Sequence, residues 1–109
     1  MTTTYKVLGQ VAPAATTETD LYTVPASTQV VASTLSVANR SATDATFRIS
    51  ISVNGAATAT KDYMAYDLTI GGNGYVAFTI GATMDSTDKI RVYASTANLS
   101  FAVFGSELT

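Results

Sequence analysis

The side chains that could carry out chemistry are few in this chain, and they lack the partners that catalysis requires. The sequence contains no histidine and no cysteine, so the usual general base near neutral pH and any thiolate nucleophile are missing. Its eight acidic residues show no spacing that singles out the carboxylate pair of a glycosidase. Serine and threonine are abundant, but a hydroxyl nucleophile needs an activating base. We therefore expect no enzyme activity and no cofactor.

Two short segments could be mistaken for ligand sites. Asp85 and Asp88 flank Ser86 and Thr87, and oxygen ligands of this kind suit calcium. The alternating acidic residues and distal glutamate of a calcium loop are absent, so this segment is predicted to be a turn. The glycine-rich residues 71–74 lack the Lys and Ser/Thr of a phosphate-binding loop. The sequence thus predicts neither a metal site nor a phosphate site.

Composition limits the classes of function that remain possible for this chain. The chain has 109 residues, which is the size of one domain, and its six basic residues and net charge of −2 argue against nucleic acid as a partner. It has no long apolar run and no signal-peptide pattern, so no membrane partner is expected. Only 13% of the residues are charged, whereas threonine and serine together supply 29. Such a surface suits a protein that packs against neighbouring subunits, and the same composition is equally compatible with a single β domain whose outer faces are rich in threonine.

The strongest structural signal lies in residues 29–54. Phe47, Ile49, Ile51 and Val53 alternate with polar residues, and a period of two places them on one face of a strand. The preceding segment similarly directs Val31, Leu35 and Val37 to one face, and the polar residues 39–44 between the two strands favour a turn. These residues predict a β-hairpin with Phe47, Ile49 and Ile51 in the core.

Shorter alternating segments continue along the chain. Strands are predicted at 5–11, 20–24, 62–70, 75–80, 89–94 and 99–104, with loops at 12–19 and 81–88 and a tail at 105–109. In the strand at 62–70 the inward residues are expected to be Met64, Tyr66, Leu68 and Ile70. About eight short strands without a helical segment predict an all-β antiparallel sandwich, either jelly-roll or immunoglobulin-like, with an up-and-down barrel as the alternative. Residues 1–109 form one domain, in which 1–19 is partly an extended strand or arm.

Several aromatic residues are predicted to lie on the outer faces of the strands. Tyrosine there can form cross-strand pairs that stiffen a sheet, or it can contact another subunit or a sugar. On the second interpretation the possible interface residues are Tyr5, Tyr63, Tyr75, Tyr93, Arg40 and Pro13.

Four segments carry a resemblance to a known class of proteins. They are residues 21–28 (LYTVPAST), 37–40 (VANR), 45–49 (ATFRI) and 93–101 (YASTANLSF). In these strand and turn patterns the chain resembles small all-β virion proteins of tailed bacteriophages, over roughly residues 5–107. The shared motifs are structural and include no catalytic signature.

The resemblance implies a virion component. We expect a capsid decoration (cement) protein that binds the major capsid protein on the outer capsid as a homotrimer and stabilises the particle. The alternative is a tail-fibre, baseplate or other tail-associated structural or adhesion module. A carbohydrate-binding module would lack the tryptophan that such platforms often use, and a bacterial adhesin would need an export route that the sequence does not display.

Overall fold

A computed structural model describes residues 2–109 and contains, within that range, eight β-strands. Two short 3-10 turns, Val53–Gly55 and Thr60–Asp62, separate the fourth strand from the fifth. In residues 2–109 no helix is long and apolar enough to cross a membrane. The strands are β1 Thr3–Val11, β2 Thr19–Thr23, β3 Gln29–Asn39, β4 Ala45–Ser52, β5 Tyr63–Ile70, β6 Tyr75–Met84, β7 Lys89–Ala94 and β8 Leu99–Leu108.

The strands form two antiparallel four-stranded sheets. Sheet A has the order β1-β8-β3-β6, and sheet B has the order β2-β7-β4-β5. The predicted all-β sandwich is thus confirmed, and this strand order is that of a jelly roll. An immunoglobulin sandwich would hold its first two strands in one sheet, whereas β1 and β2 lie in different sheets. An up-and-down barrel would pair every strand with its neighbour in sequence, and here only β4 and β5 do so.

The predicted hairpin between β3 and β4 is wrong. These strands belong to opposite sheets, and the connection between them passes from one sheet to the other. The Asn39 side chain shapes this crossing, because its amide donates to the Thr43 carbonyl at 2.8 Å and its oxygen accepts from the Ser41 amide at 3.0 Å. Alternation fixes which face of a strand is buried, but a hairpin and a crossing connection both turn that face inward.

A β-bulge at the middle of sheet A changes which residues of β3 face inward. The register with both neighbours shifts between Ala32 and Thr34, so Ser33 has no direct partner. On β6, Gly81 lies opposite this bulge with φ +55°, a conformation that glycine adopts without strain. Val31, predicted to be inward, is consequently 45% exposed.

A second bulge corrects the prediction for β5. Asp67 has φ +51°, and the pairing with β4 shifts between Phe47 and Ile49. Met64 and Tyr66 are expected in the core, but the bulge adds a residue to β5 and turns them to the outer surface, where they are exposed. Leu68 keeps its inward side opposite Phe47, but it is 43% exposed because β5 is an edge strand. Of the four residues only Ile70 is buried.

The core lies between the sheets and is apolar. Phe47 packs against Phe78 and Phe101 of the opposite sheet, with ring centroids 6.1 Å apart in each pair. Phe47 and Ile49 are buried as predicted, and Ile51 is partly buried against the same cluster. Val53 was expected to continue this face, but β4 ends at Ser52 and Val53 is exposed.

Both chain ends belong to sheet A. The predicted tail at 105–109 is wrong, because β8 continues to Leu108 and pairs with β1 on one side and β3 on the other. The segment predicted as a strand or arm contains β1, which pairs with β8 from Thr3 to Val11, while Met1 lies outside the described residues. The loop predicted at 81–88 is also shorter, since β6 runs to Met84.

Candidate protein interface

The outer surface of sheet A, here called face A, carries no charged residue at the outward-facing positions of its four strands. Alternation and register direct small, hydroxylated and apolar residues to this surface, whereas the charged residues lie on sheet B, in loops or at the sandwich edges. Its outward residues are Thr3, Tyr5, Val7 and Gln10 of β1; Ser100, Ala102, Phe104, Ser106 and Leu108 of β8; Gln29, Val31, Thr34, Ser36 and Ala38 of β3; and Tyr75, Ala77, Thr79 and Thr83 of β6.

Face A bears an apolar row of residues between two hollows. In that row Val7 pairs with Phe104, and Tyr5 pairs with Ser106 beside it. Tyr5 is 83% exposed and Val7 is 47% exposed. On one side of the row a hollow of about 410 Å³ lies between Gln10, Ser36, Ala38, Ser100 and Ala102. On the other side a hollow of about 540 Å³ opens at the end of the sheet, and its lining includes Gln29, Val31, Thr83, Ser106 and Leu108. An apolar ridge therefore adjoins a depression of small residues on the same surface.

The outer surface of sheet B, here called face B, is charged and its charges are paired. The Arg48 guanidinium lies 4.3 Å from the ring centres of both Tyr66 and Tyr93 and donates to Asp67 at 2.7 Å. This carboxylate is the main cause of the raised pKa of Arg48. The bulge at Asp67 places its carboxylate beside Arg48. The cluster joins β5, β4 and β7 through cation–π and ionic contacts.

A second charged cluster on face B holds the loop between β4 and β5 against the sheet through hydrogen bonds. Arg91 donates to the carbonyls of Gly55 and Ala56 at 3.1 and 2.6 Å and to Asp20 at 3.1 Å. Lys89 donates to the same carboxylate at 2.8 Å and is the main cause of the lowered pKa of Asp20. Beside this loop, Tyr63 and Tyr66 meet edge-to-face at 4.8 Å and line a hollow of about 420 Å³ with Thr58, Ala59 and Thr60.

The two sheets are also joined at the rim of the sandwich. Tyr22 on β2 donates its hydroxyl to Glu107 on β8, and Lys6 on β1 donates to the same carboxylate at 3.2 Å. The hydrogen bond from Tyr22 is the main cause of the lowered pKa of Glu107. Burial, followed by the bond to Glu107, raises the pKa of Tyr22.

Residues 85–88, which contain possible oxygen ligands for calcium, form a turn as predicted. The Asp88 carboxylate accepts hydrogen bonds from the Asn54 and Asp85 amides at 2.9 and 3.0 Å. It thereby ties the turn after β6 to the turn after β4. Within residues 2–109, no group of three potential metal-ligating side chains of the His, Cys, Asp and Glu types comes together.

The structure does not bring the six predicted interface residues onto one surface. Tyr5 and Tyr75 lie on face A, on its two edge strands, and are 83% and 78% exposed. Tyr63 and Tyr93 belong to sheet B. Arg40 is exposed at the end of β3 and donates to Ser100 and to the Ala97 carbonyl. Pro13 is buried, so its side chain is not available for contact.

Sequence reasoning missed the residues that form the ridge and hollow of face A. The sequence pattern predicts Val31 to face inward, and it gives no interface signal for Phe104 or Ala102. The bulge at Ser33 separates Val31 from its predicted face. For Phe104, the alternation of β8 already places it opposite Phe101 and Val103, so this outward position could have been found from the sequence.

No protein-family model matches this chain, and no curated protein matches it in sequence.

Proposed function

We propose that this chain is a structural protein of a tailed-bacteriophage virion, of the capsid decoration type. The observation that carries the proposal is face A, an entire sheet surface whose outward-facing strand positions hold no charged residue. Burying such a surface against protein requires no desolvation of charge, and the centre of a protein interface is typically depleted of charged residues. The resemblance of residues 21–28 and 93–101 to small virion proteins supports the same conclusion.

The jelly roll is compatible with this role but does not select it. Viral capsid domains and lectin domains share the architecture, so function must be argued from the surface. In the proposed mechanism each attached copy bridges neighbouring capsid subunits. Many weak contacts then add through multivalency, and the particle gains stability without any chemistry.

Particles of a phage that lacks the gene test the proposal directly. Electron cryomicroscopy should reveal density missing from the outer capsid surface, and the particles should lose their genome at a lower temperature than the parent. Adding purified protein should restore both the density and the stability. Unchanged capsid density, with mass missing from the tail, would contradict the capsid assignment.

One feature favours a tail-associated adhesion module as the second candidate. The hollow on face B is lined by Tyr63 and Tyr66 together with Thr58, Ala59 and Thr60, and aromatic rings with adjacent polar residues suit contact with a sugar. This candidate requires the missing mass at the tail. It also requires that Tyr66→Ala weakens adsorption of the phage to its host while the particle stays intact.

A further inference from the structure

We infer that face A is covered by a second copy of this chain in a two-fold symmetric dimer. The inference rests on the proposed function only in taking face A as a surface that is buried in the assembly. It goes further by naming the occupant and the symmetry of the contact.

The first argument is that the ridge and the hollow lie on one surface at matching positions. Across the four strands, one outward row contains Gln10, Ala102, Ser36 and Ala77, and the next outward row contains Val7, Phe104, Thr34 and Thr79. Between the rows lies the inward Leu35–Val103 pair. A two-fold axis in the plane of the interface, perpendicular to the strands at this pair, exchanges the two rows between the copies.

That operation places each bulky residue over a small or polar one. Phe104 of one copy lies over Ala102 of the other, Val7 lies over Gln10, and Thr34 lies over Ser36. The row that contains Val7, Phe104 and Thr34 in each copy therefore lies over the 410 Å³ hollow of its partner. Two-fold contacts are isologous and need a self-complementary patch, and face A has the required ridge and hollow side by side.

The second argument is the surface area that two copies of face A would bury against each other. Strands of 9–11 residues are about 30 Å long, and four of them about 4.8 Å apart give a face of about 600 Å². Two such faces together bury about 1,200 Å², which reaches the range of stable protein interfaces. The exposed aromatic and aliphatic side chains of Tyr5, Val7, Val31 and Tyr75 supply the apolar contacts, and no charged residue occupies an outward-facing strand position of face A.

Edge pairing and a three-fold arrangement are the competing geometries. Edge-to-edge addition at β6 would extend sheet A and leave face A exposed. A three-fold arrangement would set different patches of each copy against one another, and face A would lose its matched ridge and hollow. The two-fold contact alone uses both the ridge and the hollow of face A at once.

The first measurement is the mass of the purified full-length protein by analytical ultracentrifugation across a concentration series. We expect a species of twice the 11.3 kDa chain mass. A monomer at every concentration, or a trimer as expected from the resemblance, would overturn the inference.

The decisive experiment is charge complementation across the axis. Ser36→Asp and Thr34→Arg each place an unpaired charge in the interface, so each variant alone should dimerise at least tenfold more weakly. An equimolar mixture should recover a heterodimer with one copy of each variant, detected by native mass spectrometry. The matched control, Thr69→Asp on exposed face B, should leave dimerisation unchanged.

A second pair of variants protects the test against misfolding. Gln10→Asp and Val7→Lys lie on the edge strand β1 at exposed positions, and the same axis sets them opposite each other. Each variant's circular dichroism and melting temperature are compared with those of the parent. Folded variants that dimerise as tightly as the parent, or that do not complement each other, would refute the two-fold geometry.

Failure of this inference and failure of the proposed function are distinguishable. If the protein is monomeric but binds gene-deleted particles, and Ser36→Asp abolishes that binding, face A contacts a different particle subunit and the second copy is excluded. If the protein dimerises and complements as expected but is absent from virions, the dimer stands and the virion role fails.

Discussion

The hydrogen bond between Tyr22 and Glu107 offers a quantitative test of how the two sheets are held together. Tyr22 is buried in sheet B, Glu107 belongs to sheet A, and the Glu107 side chain is only 13% exposed. A hydrogen bond to a charged group contributes about 1.5–3 kcal/mol to folding. Because Lys6 would still donate to the carboxylate in Tyr22→Phe, the variant leaves no orphaned charge. We therefore expect Tyr22→Phe to lower the free energy of unfolding by about 1.5–2 kcal/mol, near the lower end of that range.

The stabilisation by the Tyr22–Glu107 hydrogen bond should depend on pH in a predictable direction. The pKa of Glu107 is lowered from its ordinary value of 4.5, so the stabilisation is fully present above about 4.5 and is lost as the pH falls through the lower folded-state pKa. The difference between parent and Tyr22→Phe should therefore be constant between pH 5 and 8 and shrink below about pH 4. The pKa of Tyr22 is raised above 10, so its contribution persists to pH 10 and disappears only as the pH rises through the higher folded-state pKa.

Urea denaturation at fixed protein concentration measures this effect at each pH. A double-mutant cycle with Glu107→Gln isolates the coupling between the two side chains. Lys6→Ala is the matched control, since the Lys6 side chain is 45% exposed and exposed ion pairs contribute about 0–1 kcal/mol. A coupling energy below about 0.5 kcal/mol at pH 7, or one that does not change in acid, would refute the reasoning.

Other substitutions test the core, the sheet crossing and face B. Phe47→Ala should cost about 3–5 kcal/mol in urea denaturation, because Phe47 is buried between two other phenylalanine rings and truncation leaves a cavity. A loss below about 1 kcal/mol would contradict that packing. Asn39→Ala should cost about 1–3 kcal/mol by leaving buried backbone groups unpaired, whereas exposed Asn98→Ala should change stability by less than about 0.5 kcal/mol. Arg48→Met should lower the melting temperature by a few degrees and leave the proposed dimer intact, and loss of that dimer would mean that face B contributes to it.

Most strands could be placed from the sequence because their alternation is unbroken. The β7 prediction at 89–94 matches the structure, and Phe47 and Ile49 are buried as expected. Alternation depends only on the neighbours of a residue in the chain, so it identifies an inward face without identifying the strand that pairs beside it. For this reason the sandwich was predictable, whereas the crossing from β3 to β4 was not.

Bulges account for the largest errors in facing. One extra residue reverses the facing of the positions before it relative to the positions after it. At Ser33 this exposed Val31, and at Asp67 it exposed Tyr66. Neither residue is a glycine, and the sequence around each reads as an ordinary strand. The bulge is set by the register with neighbouring strands that are distant in sequence, so a single-chain pattern could not reveal it.

Face A was harder to predict than the fold, for a related reason. Face A gathers alternate residues from β1, β3, β6 and β8, so Thr3 of the first strand lies next to Leu108 of the last. Its lack of charge never appears as a continuous segment. The outward positions of β3 hold Thr34, Ser36 and Ala38, whereas those of β4 and β7 hold Arg48, Lys89 and Arg91.

The two sheets therefore share one inward pattern of apolar residues and differ in their outward residues. Inward residues decide whether the sandwich folds, and substitutions there act on stability. Outward residues on an already folded sheet have little effect on stability, so they are free to determine which surfaces associate. A chain with 14 charged residues that keeps all of them off the strand positions of one face leaves that face suited to burial against protein. It is there, on the surface around Phe104 and Ala102, that the proposed assembly role of this protein can be tested independently of its folding.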